Sequence, residues 1–320
     1  MKNCSFQEKC LIIVGVVATR GGDCDRVGER GFECVVDLFF LQRFFGGADY
    51  FLYICKMNTA YLTFPKAKGI VVSGDIHEDF TKLVYKCCVQ YEMKDTLIVV
   101  AGDCGFGFEK LGFYENIYKR CREKLSKSNN WMVFLRGNHD NPAYFNSQPI
   151  KHQRWMTVPD YSVIKACGRT ILCVGGATSI DRLHRMASKY YHLPDPDDLL
   201  KPNVYWNNEL PEFNQERLDV IDSQCAVDTV ITHTSPSFCE LSSHHFLEDW
   251  AERDADLMDD IRYERQVMDD LYNYLYIKNH PLQYWYYGHF HESWHAKIDD
   301  VMFHMLDIME LREIPPKELS

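Results

Sequence analysis

The sequence predicts an α/β fold, and three observations lead to it. Short apolar runs rich in β-branched residues alternate with segments of helical periodicity. Several of these runs stop at a small cluster of Gly, Asp, Asn and His. The polar stops recur in order from Asp75 to His291. Strands alternating with helices build a sheet with helices packed on its faces. Such sheets bind ligands beyond the carboxyl ends of their strands, so the polar stops point to one shared site.

Residues 69–75 (GIVVSGD) form the first run, short and β-branched as a buried strand is. In residues 78–93, Phe80, Leu83, Val84, Cys87, Cys88 and Tyr91 fall at helical spacing. The second strand spans 96–103 (TLIVVAGD) and the second helix 113–127. Further strands occupy 131–140 (WMVFLRGNHD) and 228–233 (DTVITH), and a candidate at 169–175 ends in a Gly-Gly pair. A third helix covers 258–277. Residues 284–290 and 295–298 read as strands, Asp299-Asp300 as a turn and 302–306 as the returning strand. Residues 248–270 carry ten Asp or Glu against three Arg and read as a solvated helical face without chemistry.

The 320 residues are 46% hydrophobic and 25% charged, ordinary for a globular chain with a large core. A net charge of −11 argues against an extended nucleic-acid partner, which needs a basic face. It leaves a phosphate substrate open, because bound cations supply positive charge locally. The 13 Cys lack CxxC spacing and read as reduced thiols of a cytoplasmic protein. No run reaches the ~18 apolar residues of a membrane-crossing helix, so no membrane partner is expected. Residues 11–18 follow Lys2 and Lys9 and end in Val16-Val17-Ala18, a faint signal-peptide pattern with a short apolar run. Residues 1–56 hold five of the 13 Cys and no proline, and read as an extension outside a domain of residues 57–320. The apolar runs 11–17 and 35–40 support the alternative, a cap packed on the sheet.

The polar stops are Gly74-Asp75-Ile76-His77, Gly102-Asp103, Gly137-Asn138-His139-Asp140, Thr232-His233 and Gly288-His289-Phe290-His291. On an extended segment residues i and i+2 point to the same side, so Asp75 and His77 can share one metal ion, and so can His289 and His291. Carboxylate, amide oxygen and imidazole without thiolate suit Mn, Fe, Zn or Co. Two ions sharing a carboxylate lie about 3.5–4 Å apart, the separation of two-metal hydrolytic sites. Water between two cations becomes a nucleophile near neutral pH, and a positioned His is the natural proton donor to the leaving oxygen. Around these stops, Cys104 reads as structural, while Arg136 and Arg182 are candidates for substrate contact. Phe106 and Phe108 either border a flat group or pack in the core, and His244, His245 and His295 read as surface or packing residues.

The order Asp-x-His, Gly-Asp, Gly-Asn-His-Asp, His, Gly-His-x-His resembles the calcineurin-like metallophosphoesterase superfamily, with no ligand position missing between Asp75 and His291. The resemblance implies a four-layer α/β/β/α sandwich with two metal ions. It places Asp75, His77 and His291 on the first ion and Asn138, His233 and His289 on the second, with Asp103 bridging. It makes His139 the catalytic histidine and Asp140 its orienting partner. The second stop departs from the Gly-Asp-x-Val-Asp-Arg-Gly of the protein Ser/Thr phosphatases: Gly102-Asp103-Cys104-Gly105-Phe106-Gly107-Phe108 lacks the arginine. The expected activity is hydrolysis of phosphate mono- or diesters of a small molecule or nucleotide. A nuclease of the same superfamily and a non-catalytic scaffold are the alternatives, and the oligomeric state is left open.

Overall fold

The computed structural model describes residues 53–56, 59–110, 112–239 and 247–317. The expectations for residues 1–52, His244 and His245 lie outside the described residues. Among the described residues, the first elements are an antiparallel pair, β1 (Tyr53–Lys56) and β2 (Thr59–Phe64). Next come β3 (Gly69–Ser73), α1 (Phe80–Tyr85), β4 (Thr96–Val100), α2 (Phe113–Ser128) and β5 (Trp131–Phe134), in the expected alternation. The short strands β6 (Lys151–His152) and β7 (Trp155–Thr157) precede the hairpin of β8 (Ser162–Ala166) and β9 (Arg169–Val174). After α3 (Arg182–Met186) and α4 (Gln215–Asp222) the chain enters β10 (Thr229–Thr232). It continues through α5 (Leu247–Ala251), α6 (Leu257–Ile277), β11 (Tyr284–Tyr287), β12 (Trp294–Ile298), β13 (Val301–Met305) and β14 (Leu311–Ile314).

Two sheets result. The six-stranded sheet runs β14-β3-β4-β5-β7-β6, and the eight-stranded sheet runs β1-β2-β8-β9-β10-β11-β13-β12. Their packing follows from the period-two alternation of strand side chains. On β4, Leu97 and Val99 enter the core shared with Ile171 and Ile231 of the other sheet. Ile98 and Val100 turn the opposite way, onto Phe80 and Leu83 of α1 and Ile117 and Leu125 of α2. On β10, Ile231 faces inward while Val230 packs with Leu218 of α4 and Met268 and Leu271 of α6. Fully burying each such side chain contributes about 1.5–3 kcal/mol. Helices therefore cover both outer faces, which is the four-layer α/β/β/α sandwich that the resemblance implied.

Several expectations are corrected. The helix expected over 78–93 starts later, because His77 and Glu78 take left-handed backbone (φ 42 and 67) on leaving β3. Its second half is a π-turn, Lys86–Gln90. Strands β2, β8 and β14 escaped the sequence reading because polar residues interrupt them, as Lys165 does in β8 and Arg312 and Glu313 in β14. Pairing of β1 with β2 carries the sheet back to Tyr53, so a boundary at 56/57 cuts through a strand pair. The acidic stretch 248–270 is not only a solvated face: Glu264 and Arg265 are buried in it. Among the described residues, no helix is long and apolar enough to cross a membrane.

A chain beginning at Met57 is expected to keep the β2–β8 pairing, with the six-residue β2 replacing the four-residue β1 as the terminal strand of its sheet. Such edges invite pairing between copies. Compared with the full chain, it is expected to melt lower and to associate more strongly with rising concentration. Thermal melts and light scattering check this, and unchanged association means that β1 does not protect the edge.

Candidate metal centre

Five loops converge at the carboxyl ends of β3, β4, β5, β10 and β11, and they carry all seven expected ligands. Four of those ligands have left-handed backbone: His77 (φ 42), Asp103 (φ 45), His289 (φ 71) and His291 (φ 54). Convergence therefore does not come from alternation along an extended chain, as the i, i+2 spacing suggested. It comes from tight turns whose strained residues cost on the order of 1–3 kcal/mol each and cluster where function requires them. His289 and His291 accordingly diverge: His291 joins Asp75 and His77, while the His289 ring lies 5.0 Å from that of His233.

In the first half of the site, donor atoms of Asp75, His77, Asp103 and His291 all lie within 4.8 Å of one another. The Nε2 atoms of His77 and His291 face each other at 3.0 Å, and Asp75 Oδ2 stands 3.0 Å from His291 Nε2. That carboxylate oxygen is buried with no hydrogen-bond partner. An orphaned carboxylate oxygen beside two convergent imidazole nitrogens is a donor set that a divalent cation fits. In the second half, His233 Nε2 lies 3.0 Å from Asn138 Oδ1 and 3.1 Å from Asp103 Oδ1. His233 Nδ1 donates to the Ala101 carbonyl at 2.7 Å, which leaves Nε2 free to ligate. Burial works to lower the His233 pKa, but the Asp103 and Asp75 charges and the Ala101 carbonyl outweigh it and bring it up to about 9. The carboxylates thus demand positive charge at this point, and a cation meets that demand.

Two glycines make the approach possible. At Gly102 (φ +100) a Cβ would strike the His233 ring, and at Gly137 it would strike Asp103 Oδ1 and stand 2.7 Å from His233 Nε2.

Asp140 does not orient His139. Its buried carboxylate accepts from the backbone N–H groups of Cys104 (3.0 Å), Gly105 (2.8 Å), Phe106 (2.8 Å) and Gly137 (2.8 Å). The groups beside His139 are Asp103, with Oδ2 3.5 Å from Nδ1, and Arg185, with Nη2 2.8 Å from Nε2. Burial lowers the His139 pKa and Arg185 adds to that, with Asp103 opposing.

The two expected substrate arginines are held elsewhere. Arg136 is buried, paired with Asp160 (2.9 Å) and donating to the carbonyls of Glu209 (2.6 Å) and Leu210 (3.0 Å). Arg182 is held by Asp254 (2.6 Å) and Asp260. Three residues on, Arg185 is the arginine at the site, steadied by Asp181 at 2.7 Å. The sequence reading missed it, although one helical turn separates it from Arg182. Also missed were Ser179 and Glu209, which reach Asn138 through hydrogen bonds and lie in loops without a motif. Cys104 is buried and bonded to the Leu135 carbonyl, and Phe106 sits in the helix-side core. Phe108 stands between His139 (ring centroids 6.4 Å) and Trp206 (5.3 Å).

The calcineurin-like phosphoesterase family profile matches residues 69–293. Comparison with curated proteins returns no match. Among solved structures, GAP50, the anchor in the inner membrane complex of Plasmodium, is 12% identical, with 75% of this chain and 71% of that one covered and a TM-score of 0.38. The phosphopantetheinyl hydrolase of Mycobacterium tuberculosis is 14% identical, with 78% of this chain and 97% of that one covered and a TM-score of 0.36.

Asp103 touches both halves of the site, so Asp103→Asn is expected to lower divalent-metal content at both positions together. Elemental analysis of the purified variant reads this out. Two ions retained at full occupancy would rule out Asp103 as the shared ligand.

Proposed function

Because the chain belongs to the calcineurin-like phosphoesterase family, we propose that it hydrolyses phosphate mono- or diesters of a small molecule or nucleotide at a centre of two divalent cations. The observation that carries this reading is the convergence of seven oxygen and nitrogen donors from both sheets beside a histidine and an arginine. Asp75, His77 and His291 would hold one cation and Asn138, His233 and His289 the other, with Asp103 shared. Bound Mn, Fe, Zn or Co would neutralise phosphate oxygens and supply a nucleophilic water near neutral pH.

The chain's own groups perform the remaining work. Asp103 lies toward His139 Nδ1, so Nε2 faces Arg185. Arg185 donates to that nitrogen and keeps a proton off it. A substrate phosphate is a stronger acceptor for the guanidinium. Once Arg185 is drawn to phosphate, His139 Nε2 is free to take a proton from solvent and pass it to the leaving oxygen. Arg185 replaces Arg136 and Arg182 in this reading as the phosphate contact.

A groove of about 390 Å³ has Asn141, Asn146, His192 and Trp206 in its lining, together with Asp195 and Asp198. Ligand pockets range over about 300–1,000 Å³. Trp206 links the groove wall to Phe108 and so to His139, but none of the seven donors lines it.

Assays on a general phosphodiester and a general phosphomonoester with added Mn²⁺, against a chelated control, test the activity itself; no turnover of either ester refutes it. His139→Ala is expected to retain both metals and lose about 10²–10⁴-fold in kcat for an alkyl ester. For a nitrophenyl ester, whose leaving group departs without a proton, the loss is expected to be much smaller. Equal losses would remove His139 from the acid role. Arg185→Ala is expected to raise KM for both esters, and an unchanged KM would exclude Arg185 as the phosphate contact.

A further inference from the structure

The amide of Asn138 has two unlike ends, and only its oxygen can ligate a cation. Something must decide which end faces His233. The Nδ2 end lies 3.0 Å from Ser179 Oγ. Ser179 Oγ in turn donates to Glu209 Oε2 at 2.6 Å, and the Ser179 backbone N–H donates to Glu209 Oε1 at 2.8 Å. Asn138, Ser179 and Glu209 are all buried, so water does not compete for these bonds.

From this geometry we propose that Glu209, acting through Ser179, is the positioning group that turns the Asn138 oxygen toward the second cation. The inference rests on the two-cation reading above. Its logic is one of direction. When Glu209 is ionised its carboxylate only accepts, and the single Ser179 hydroxyl proton then points at Glu209. Ser179 Oγ then offers Asn138 nothing but lone pairs, and only the NH₂ end of the amide can meet them. The oxygen is left facing His233 Nε2, 3.0 Å away.

The support extends outward. Arg136 grips the Glu209 carbonyl at 2.6 Å and so fixes the segment that carries the carboxylate. Across the same loop, Glu264 accepts from the Thr178 backbone N–H and, at 3.0 Å, from Thr234 Oγ1. The loop after β9 is thus held between two buried carboxylates from separate parts of the chain. Burial raises the Glu209 carboxyl to about 8, with the Ser179 donors pulling it down and Glu264 raising it. A cation at the Asn138 oxygen favours the ionised form, so metal and relay reinforce each other.

The test is a Mn²⁺ titration of the full chain by calorimetry, with electron paramagnetic resonance reporting whether the two ions sit side by side. Circular dichroism establishes that each variant is folded. The unaltered protein is expected to take up two ions; failure to bind any would overturn the two-cation reading itself. Ser179→Ala and Glu209→Gln are each expected to keep the ion at Asp75, His77 and His291 and to weaken the other by about 10–100-fold, the usual cost of losing an outer-shell partner. Asn138→Asp has oxygen at both ends and needs no orientation, so adding Ser179→Ala to it is expected to cost nothing further. Unchanged affinity in both single variants would overturn the relay while leaving the two-cation reading intact. So would equal weakening of both ions, or the same Ser179→Ala penalty with Asp at 138.

Discussion

The carboxylate of Asp140 is the constraint on which the site depends. Four backbone N–H groups from two loops converge on it: three from residues 104–106 after β4 and one from Gly137 after β5. Hydrogen bonds to a charged group contribute about 1.5–3 kcal/mol each, and an orphaned buried donor costs a similar amount. Asp140 thereby welds together the loops that present Asp103 and Asn138. Burial and the Asp103 charge push its carboxyl up to about 7, against the pull of the backbone donors. The His139 backbone N–H then donates to Asp103 Oδ1 at 2.8 Å, closing a second tie between the same loops. With the frame rigid, left-handed residues at ligand positions become tolerable, because neighbouring bonds over-determine them.

How much of this could be read from residues alone depends on the range of the interaction. Asp75, Asp103, Asn138 and His233 stood out because each is a polar residue closing an apolar, β-branched run, and the strand ends do bring them together. The turns themselves were hidden: no spacing rule distinguishes extended His291 from His291 at φ 54. Asp140 was misassigned because adjacency to His139 in sequence suggested contact, whereas its partners lie 34 to 36 positions upstream and at Gly137. Arginine partners were the least accessible. Arg182 is neutralised by Asp254, 72 positions away, and only packing brings them together. Strands failed where charge interrupted the pattern, as at Lys165 in β8, while the unbroken β4 was plain.

Charge in the cleft is correspondingly specific. The chain carries a net −11, yet the groups facing the site are arranged to attract an anion once cations are bound. Arg136 and Arg182 are committed to structural carboxylates, which leaves Arg185 as the guanidinium beside His139.

The candidate ligands divide between the two sheets: Asp75, His77, Asp103 and Asn138 follow strands of one, and His233, His289 and His291 follow strands of the other. Residues 214 positions apart, His77 and His291, meet at 3.0 Å. A cation held at this candidate site would act as a removable rivet across the seam, closing loops far longer than any hairpin. With its candidate ligands split between the sheets, such a cation would be held fully only once the sandwich had closed. Withdrawing it would loosen the mouth of the seam first, while the Leu97, Val99 and Ile231 interior would still hold the layers together.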